Sequence, residues 1–194
     1  GPPSQSPPKP PRLAGILPRP LLVCVSKMAE IAPFRGILYA GAADLSTRLA
    51  PPYDVISPDE RAALAAADPH NIVRLILPTD DQGPASEASE ARYPAAGATL
   101  RAWLADGALR RDDRPALYRY HQIFRPPGDP DAAPVTRRGF IGLLRLHRFA
   151  ERVILPHERT LAGPKADRLK LKRATRCHLS QIFGLYDDPA QAID

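Results

Sequence analysis

Cysteine is nearly absent from this chain: Cys24 and Cys177 are the only two. No C-x-x-C pair and no Cys/His ligand spacing accompanies them, which argues against structural zinc, and no metal site is expected. Two distant thiols make no disulfide framework, so a reducing, cytoplasmic setting is expected. Long apolar runs are missing as well. The run near the start, "LLVCV" at 21–25, is too short for a membrane span or a signal sequence, and Val23 is a poor fit before a lipoprotein cysteine. No membrane partner is expected. There is no G-x-x-x-x-G-K-[ST] loop and no RNP-like aromatic motif, which disfavours P-loop and standard RNA-recognition modules. No internal repeat is present.

Proline, by contrast, is plentiful, with 24 residues, and it crowds the first 20 positions. Residues 1–27 are of low complexity and carry no apolar periodicity, so they are expected to be disordered or polyproline-like, or a mis-assigned extension. Met28 is the only methionine, and a globular pattern begins directly after it. The natural start is therefore expected at Met28.

Charge is unevenly spread. The net charge is +6, yet residues 137–178 hold twelve Arg or Lys against three acids, so the whole positive excess belongs to that segment. Such a segment attracts phosphates or acidic partners. The alternative is a solvated basic face with no partner.

The local signals predict an α/β or α+β fold, a single domain with a mixed β-sheet and about three main helices. "EIAPFRGILYA" (30–40) reads as a strand entering a loop. Ser57, Pro58 and Glu60 make a capped helix start after the stiff turn at Pro51-Pro52, and that helix ends near Asp68-Pro69. "NIVRLILP" (71–78), apolar and β-branched, reads as a buried strand. A second helix is expected over about 95–106, opened by Pro94 and stopped by Gly107. "ALYRYHQIF" (116–124) and "RRGFIGLLRLHRF" (137–149) are strand candidates joined by a turn-rich loop, with a last strand at "IFGLY" (182–186). Tyr118, Tyr120 and Phe124 fall on one strand face and read as core.

The densest chemistry is in "VILPHERTLAGPKADRLKLKRATRCHLSQIFGLYDD" (153–188). Gly163 reads as an N-cap with Pro164 at the first helical position, opening a helix to about His178. At 100° per residue, Lys165, Arg168, Lys172 and Arg176 fall within about 80° of arc, with Leu171, Ala174 and Cys177 opposite. Cations at a helix N-terminus oppose the macrodipole, whereas a bound anion would reverse the sign. The residues therefore suggest a phosphate site on Gly163, Lys165, Arg168, Lys172 and Arg176. Internal neutralisation by Asp167, Glu158 and the acids at 187–188 is the competing reading. Upstream, His157 and Glu158 have acid–base chemistry, and Arg159 suits a carboxylate or phosphate. A structural His–Glu pair is the alternative. Tyr53-Asp54 follows two prolines, so Asp54 is a carboxylate candidate or merely a turn residue before the Ser57 cap. Arg74 stands alone among apolar residues and needs a partner or a ligand if buried.

"MAEIAPFRGILY", "LAPPYDVISPDE", "HNIVRLIL", "TLRAWLADGAL", "RRGFIGLLRL" and "VILPHERTLAGPKADRLKLKRATRCHLSQIFGLY" resemble successive blocks of the bacterial and archaeal domain of unknown function 1015 family over residues 28–188. The resemblance implies that 28–194 is the N-terminal part of such a protein, truncated at the C-terminus. Pro94 and "CHLSQ" (177–181) depart from the pattern. Some members carry a ParB-like label, which would imply nucleotide-phosphate binding, but the Gly-x-Arg-Arg or Gly-x-His-Arg signature has no clean match. Three readings follow. One is a protein binding a phosphate-bearing small molecule or nucleotide, with phosphotransfer by His157 or Glu158 as its enzymatic form. The second is a ParB-like module contacting nucleic acid. The third is a structural domain with a basic face. The cofactor, if any, is not named by the sequence.

Overall fold

The computed structural model describes residues 28–41, 44–79, 89–128, 131–156 and 161–188. The expectation for residues 1–27 lies outside them. The first helix, α1 (Pro58–Ala67), begins where the capping signal places it: Ser57 Oγ accepts from the Glu60 amide at 3.2 Å. It stops at Asp68, whose carboxylate accepts from the His70 amide at 2.7 Å and turns the chain.

The run expected as a strand at 71–78 is instead a single helical turn, α2 (Val73–Ile76). Asn71 explains the difference. Its side chain is fully buried, its Oδ1 accepts from the Val73 amide at 2.9 Å, and its Nδ2 donates to the carbonyls of Thr47 and Leu49 at 2.7 and 3.0 Å. This Asx turn leads into the helical turn, and the side-chain amide holds the 45–50 loop on its back. The apolar character of the run was correctly associated with burial: Val73, Leu75 and Ile76 are all buried. A four-residue turn is simply too short for periodicity to separate helix from strand.

The next helix, α3 (Arg92–Ala105), starts earlier than residue 95. Pro94 is its third residue, where no intrahelical N–H is needed, so the ring does not break it. Gly107 follows the helix at φ 82, a backbone region that favours glycine. The last helix is α4 (Ala162–Thr175), which packs along α3.

The strands form three antiparallel pairs. β1 (Ile31–Ala32) pairs with β6 (Leu143–Leu144), and β2 (Ile37–Tyr39) pairs with β3 (Leu109–Arg111). The longest ribbon joins β4 (Tyr118–Phe124) to β5 (Val135–Ile141), with Tyr118 opposite Ile141. The expected strand pair is therefore present, but its second strand stops at Ile141 instead of running to 149: Leu143–Leu144 pairs with β1, and 145–149 is not strand. Three helices of ten or more residues with small antiparallel sheets give the α/β character expected. Residues 182–186 form no strand: Ile182, Phe183, Leu185 and Tyr186 are exposed, and no described strand pairs with them. Tyr120 is likewise exposed, so only part of the aromatic face on β4 is covered.

The core lies between the helices and the β2–β3 pair. Leu75, Leu100, Trp103 and Leu109 form one cluster, flanked by Ile37 and Tyr39. Tyr93, Ala96 and Leu171 form a second cluster, which seats α4 on α3. Gly97 permits that seat. A Cβ there would come within 2.6 Å of the Ala174 carbonyl oxygen, a backbone atom that cannot swing aside.

Gly97→Ala therefore sets two effects in opposition. Helix propensity favours alanine by about 1 kcal/mol, whereas the overlap with Ala174 forces α3 and α4 apart and costs about 1–3 kcal/mol. We expect net destabilisation in urea unfolding. A variant more stable than wild type would show that α4 does not sit this close to α3.

Candidate anion-binding face

α4 begins at Ala162, with Leu161 as its N-cap and no side-chain cap bond. Gly163 is thus the second helical residue and Pro164 the third, not the N-cap and first residue that the sequence suggested. Proline is tolerated throughout this first turn because its missing N–H lies among the orphan donors. The earlier start also moves Arg168 two turns into the helix, beyond the reach of the N-terminal dipole. Of the expected cations, Lys165 alone stays near that end. Gly163 is exposed, and a Cβ there would meet nothing within 4 Å, so packing does not demand glycine at this position.

The cations of α4 are divided into two groups by one carboxylate. Asp167 is half-buried, and Oδ1 accepts from Arg92 Nη2 at 2.9 Å and from the Tyr93 hydroxyl at 2.8 Å. Its Oδ2 accepts from Arg168 Nε at 2.8 Å and from Arg168 Nη2. Arg168 Nη1 donates to the Ile76 carbonyl at 2.8 Å, and its guanidinium lies 4.2 Å from the Tyr53 ring centroid. Arg168 therefore bridges α4, α2 and the 3-10 turn Tyr53–Val55. Burial would push the Asp167 carboxyl up, but the Tyr93 hydroxyl, Arg168 and Arg92 outweigh it and hold the carboxyl below its ordinary range. On the same helix, Lys170 Nζ pairs with Glu90.

The other cations face outward. Lys165, Lys172, Arg173 and Arg176 are exposed. Lys172, Arg173 and Arg176, with Leu169, line an open concavity of about 480 Å³, and no acid lines it among the described residues. Arg176 lies just past the helix in a left-handed backbone (φ 55), its amide donating to the Lys172 carbonyl at 2.8 Å. The structure thus brings Lys172 and Arg176 together, adds Arg173, and turns Arg168 inward. Arg173 adjoins Lys172 in the sequence, but a narrow helical arc passes it over.

His157, Glu158 and Arg159 lie outside the described residues. Asp54 is exposed in the turn that carries Tyr53. Arg74 is exposed rather than buried, and its Nη2 donates to the Ala65 carbonyl at 2.7 Å. Among the described residues, no group of three His, Cys, Asp or Glu side chains could hold a metal ion, and no helix is long and apolar enough to cross a membrane.

A family model described as Protein of unknown function (DUF1015) matches residues 31–194, so the chain belongs to that family. Searches of curated proteins and of solved structures each return no match to this chain.

The Asp167 knot has a definite pH signature. A carboxyl whose folded pKa is depressed adds stability that is present above its unfolded value, about 3.9, and is lost as pH falls through the folded value. Asp167→Asn should cost about 1–3 kcal/mol near neutral pH, because Arg168 and Arg92 lose their contact with this carboxylate charge. The gap between variant and wild type should narrow below about pH 4. A gap that is constant from pH 7 to pH 3 in denaturant titrations would show that the carboxylate charge contributes nothing.

Proposed function

We propose that this member of the family binds a phosphate-bearing ligand on the outward face of α4. One observation carries the reading: Lys172, Arg173 and Arg176 converge on a concavity with no acid in its lining among the described residues, while Arg168 and Lys170 of the same helix already have carboxylate partners. These three lie at the helix C-terminus, where the macrodipole stabilises cations and opposes anions. Recognition there rests on side chains rather than on free backbone N–H groups. Arg176 supports it further, since glycine is the residue favoured in a left-handed C-terminal position, and an arginine there costs about 1–2 kcal/mol. Lys165 and Gly163 extend the same helix toward its start. In this reading Arg159 adds a further cation, His157 and Glu158 are the acid–base pair for phosphotransfer, and Arg168 holds the scaffold rather than the ligand. Asp54 has no part in it.

The openness of the concavity favours a second reading, in which the same cations track the backbone of a nucleic acid. The two readings differ in their salt dependence. Full-length protein would be titrated with ATP by calorimetry and with a labelled single-stranded oligonucleotide by anisotropy, each at several salt concentrations. The first reading expects ATP binding that weakens at least about tenfold in the triple variant Lys172→Gln, Arg173→Gln, Arg176→Gln. The second expects oligonucleotide binding with a steep salt slope, which flattens by about 0.7 for each phosphate contact removed. If wild-type protein binds neither, the face is a solvated surface and both readings fail.

A further inference from the structure

A second group of cations lies away from the outward face of α4, where α1, α2 and α3 meet. Arg61, Arg74, Thr79, Thr99 and Trp103 line a concavity of about 390 Å³, with alanines and prolines forming the rest of its wall. Its arginines are held by neutral groups. Arg61 Nε donates to the Leu77 carbonyl at 2.8 Å, and its Nη2 donates to Thr79 Oγ1 at 2.9 Å. Arg74 is fixed from the other side through the Ala65 carbonyl. Each guanidinium is thereby oriented while part of its donor set is left over, since arginine carries five N–H groups. Burial, and then the nearby charge of Arg74, push the Arg61 pKa down.

The contrast with three half-buried arginines elsewhere is informative. Arg48, Arg92 and Arg168 each lie against a carboxylate. Among the described residues, no acid lines the concavity that Arg61 and Arg74 share. Guanidinium groups stay charged at any physiological pH, and like charges brought together without a counter-ion repel. Fixed donors and uncompensated charge therefore converge on one volume. An oxyanion would satisfy both, because a guanidinium fork matches the geometry of a carboxylate or phosphate. The volume is at the small end of ordinary ligand sites, which run from about 300 to 1,000 Å³, so it suits a small molecule and not a polymer. Trp103 and the alanine wall offer an apolar surface to the rest of such a molecule.

We infer that the concavity between α1, α2 and α3 is a binding site for a small oxyanion ligand, with Arg61 and Arg74 as its anion clamp and Trp103 as an apolar wall. It is independent of the α4 face and uses none of its residues.

Trp103 is the only tryptophan in the chain, so its fluorescence reports on this site. Full-length protein would be titrated with inorganic phosphate and, separately, with benzoate, at ionic strength held constant with sodium chloride. The expected result is a saturable change in Trp103 emission with at least one probe. A response to phosphate alone assigns a phosphorylated ligand, and a response to benzoate alone assigns a carboxylate. Arg74→Met, which keeps the aliphatic stem, should weaken the response about tenfold or more. Arg119→Gln, an exposed cation on β4, should leave it unchanged. If Arg74→Met is not folded, Arg74→Lys decides, because it keeps the charge but not the fork and should still weaken binding measurably. No saturable change with either probe, or a response that survives in the folded Arg74 variant, overturns the inference.

Discussion

Asp167 decides which way the basic helix faces. Its carboxylate, set between Arg92, Tyr93 and Arg168, is the polar counterpart of the apolar seat made by Tyr93, Ala96 and Leu171. The seat alone would fix how close α4 lies to α3. The carboxylate also fixes the rotation of α4, because Arg168 must point toward Asp167, Ile76 and Tyr53. With that rotation set, Lys172, Arg173 and Arg176 are exposed. A stretch that reads as one basic run in sequence is therefore two populations in space, one structural and one available.

Arginines elsewhere divide in the same way. Arg48 and Arg145 are matched to acids, Asp68 and Glu30. Arg61 and Arg74 are matched only to carbonyl and hydroxyl oxygens. A carbonyl orients a guanidinium without neutralising it, so those two side chains are held in place with their charge intact. Asn71 makes that arrangement reproducible. Its side chain turns the chain into α2 and ties the 45–50 loop to it, which sets the position of Arg74 in α2.

Much of this was legible in the sequence where a local rule has a local cause. Ser57 and Glu60 mark the start of α1, Gly107 the end of α3, and the Pro/Gly/Asp loop between two apolar runs marks the β4–β5 ribbon. Errors fell where tertiary partners decide. The 71–78 run is apolar whether helical or extended, and the choice rests on the Asn71 side chain and what it reaches across the fold. The starts of α3 and α4 were misplaced because proline fits any position of a first turn. Arg168 was assigned to the outer stripe because helical angles give relative directions and not which direction is the core. It lies only about 60° around the helix from buried Leu171, whereas Lys172 is about 100° away.

The two cation groups also differ in how solvent treats them. Charges on the open α4 face interact through water, so their pull on an anion fades over a Debye length, about 8 Å at physiological salt. Charges in the Arg61–Arg74 concavity act partly through protein, where screening is weaker and hydrogen-bond geometry counts for more. An open face that is strong only at low salt suits attraction and weak holding of a phosphate chain. A partly enclosed pair suits retention of one small head group. Shielding of Arg61, rather than the number of cations, is thus the property that separates the two proposed sites.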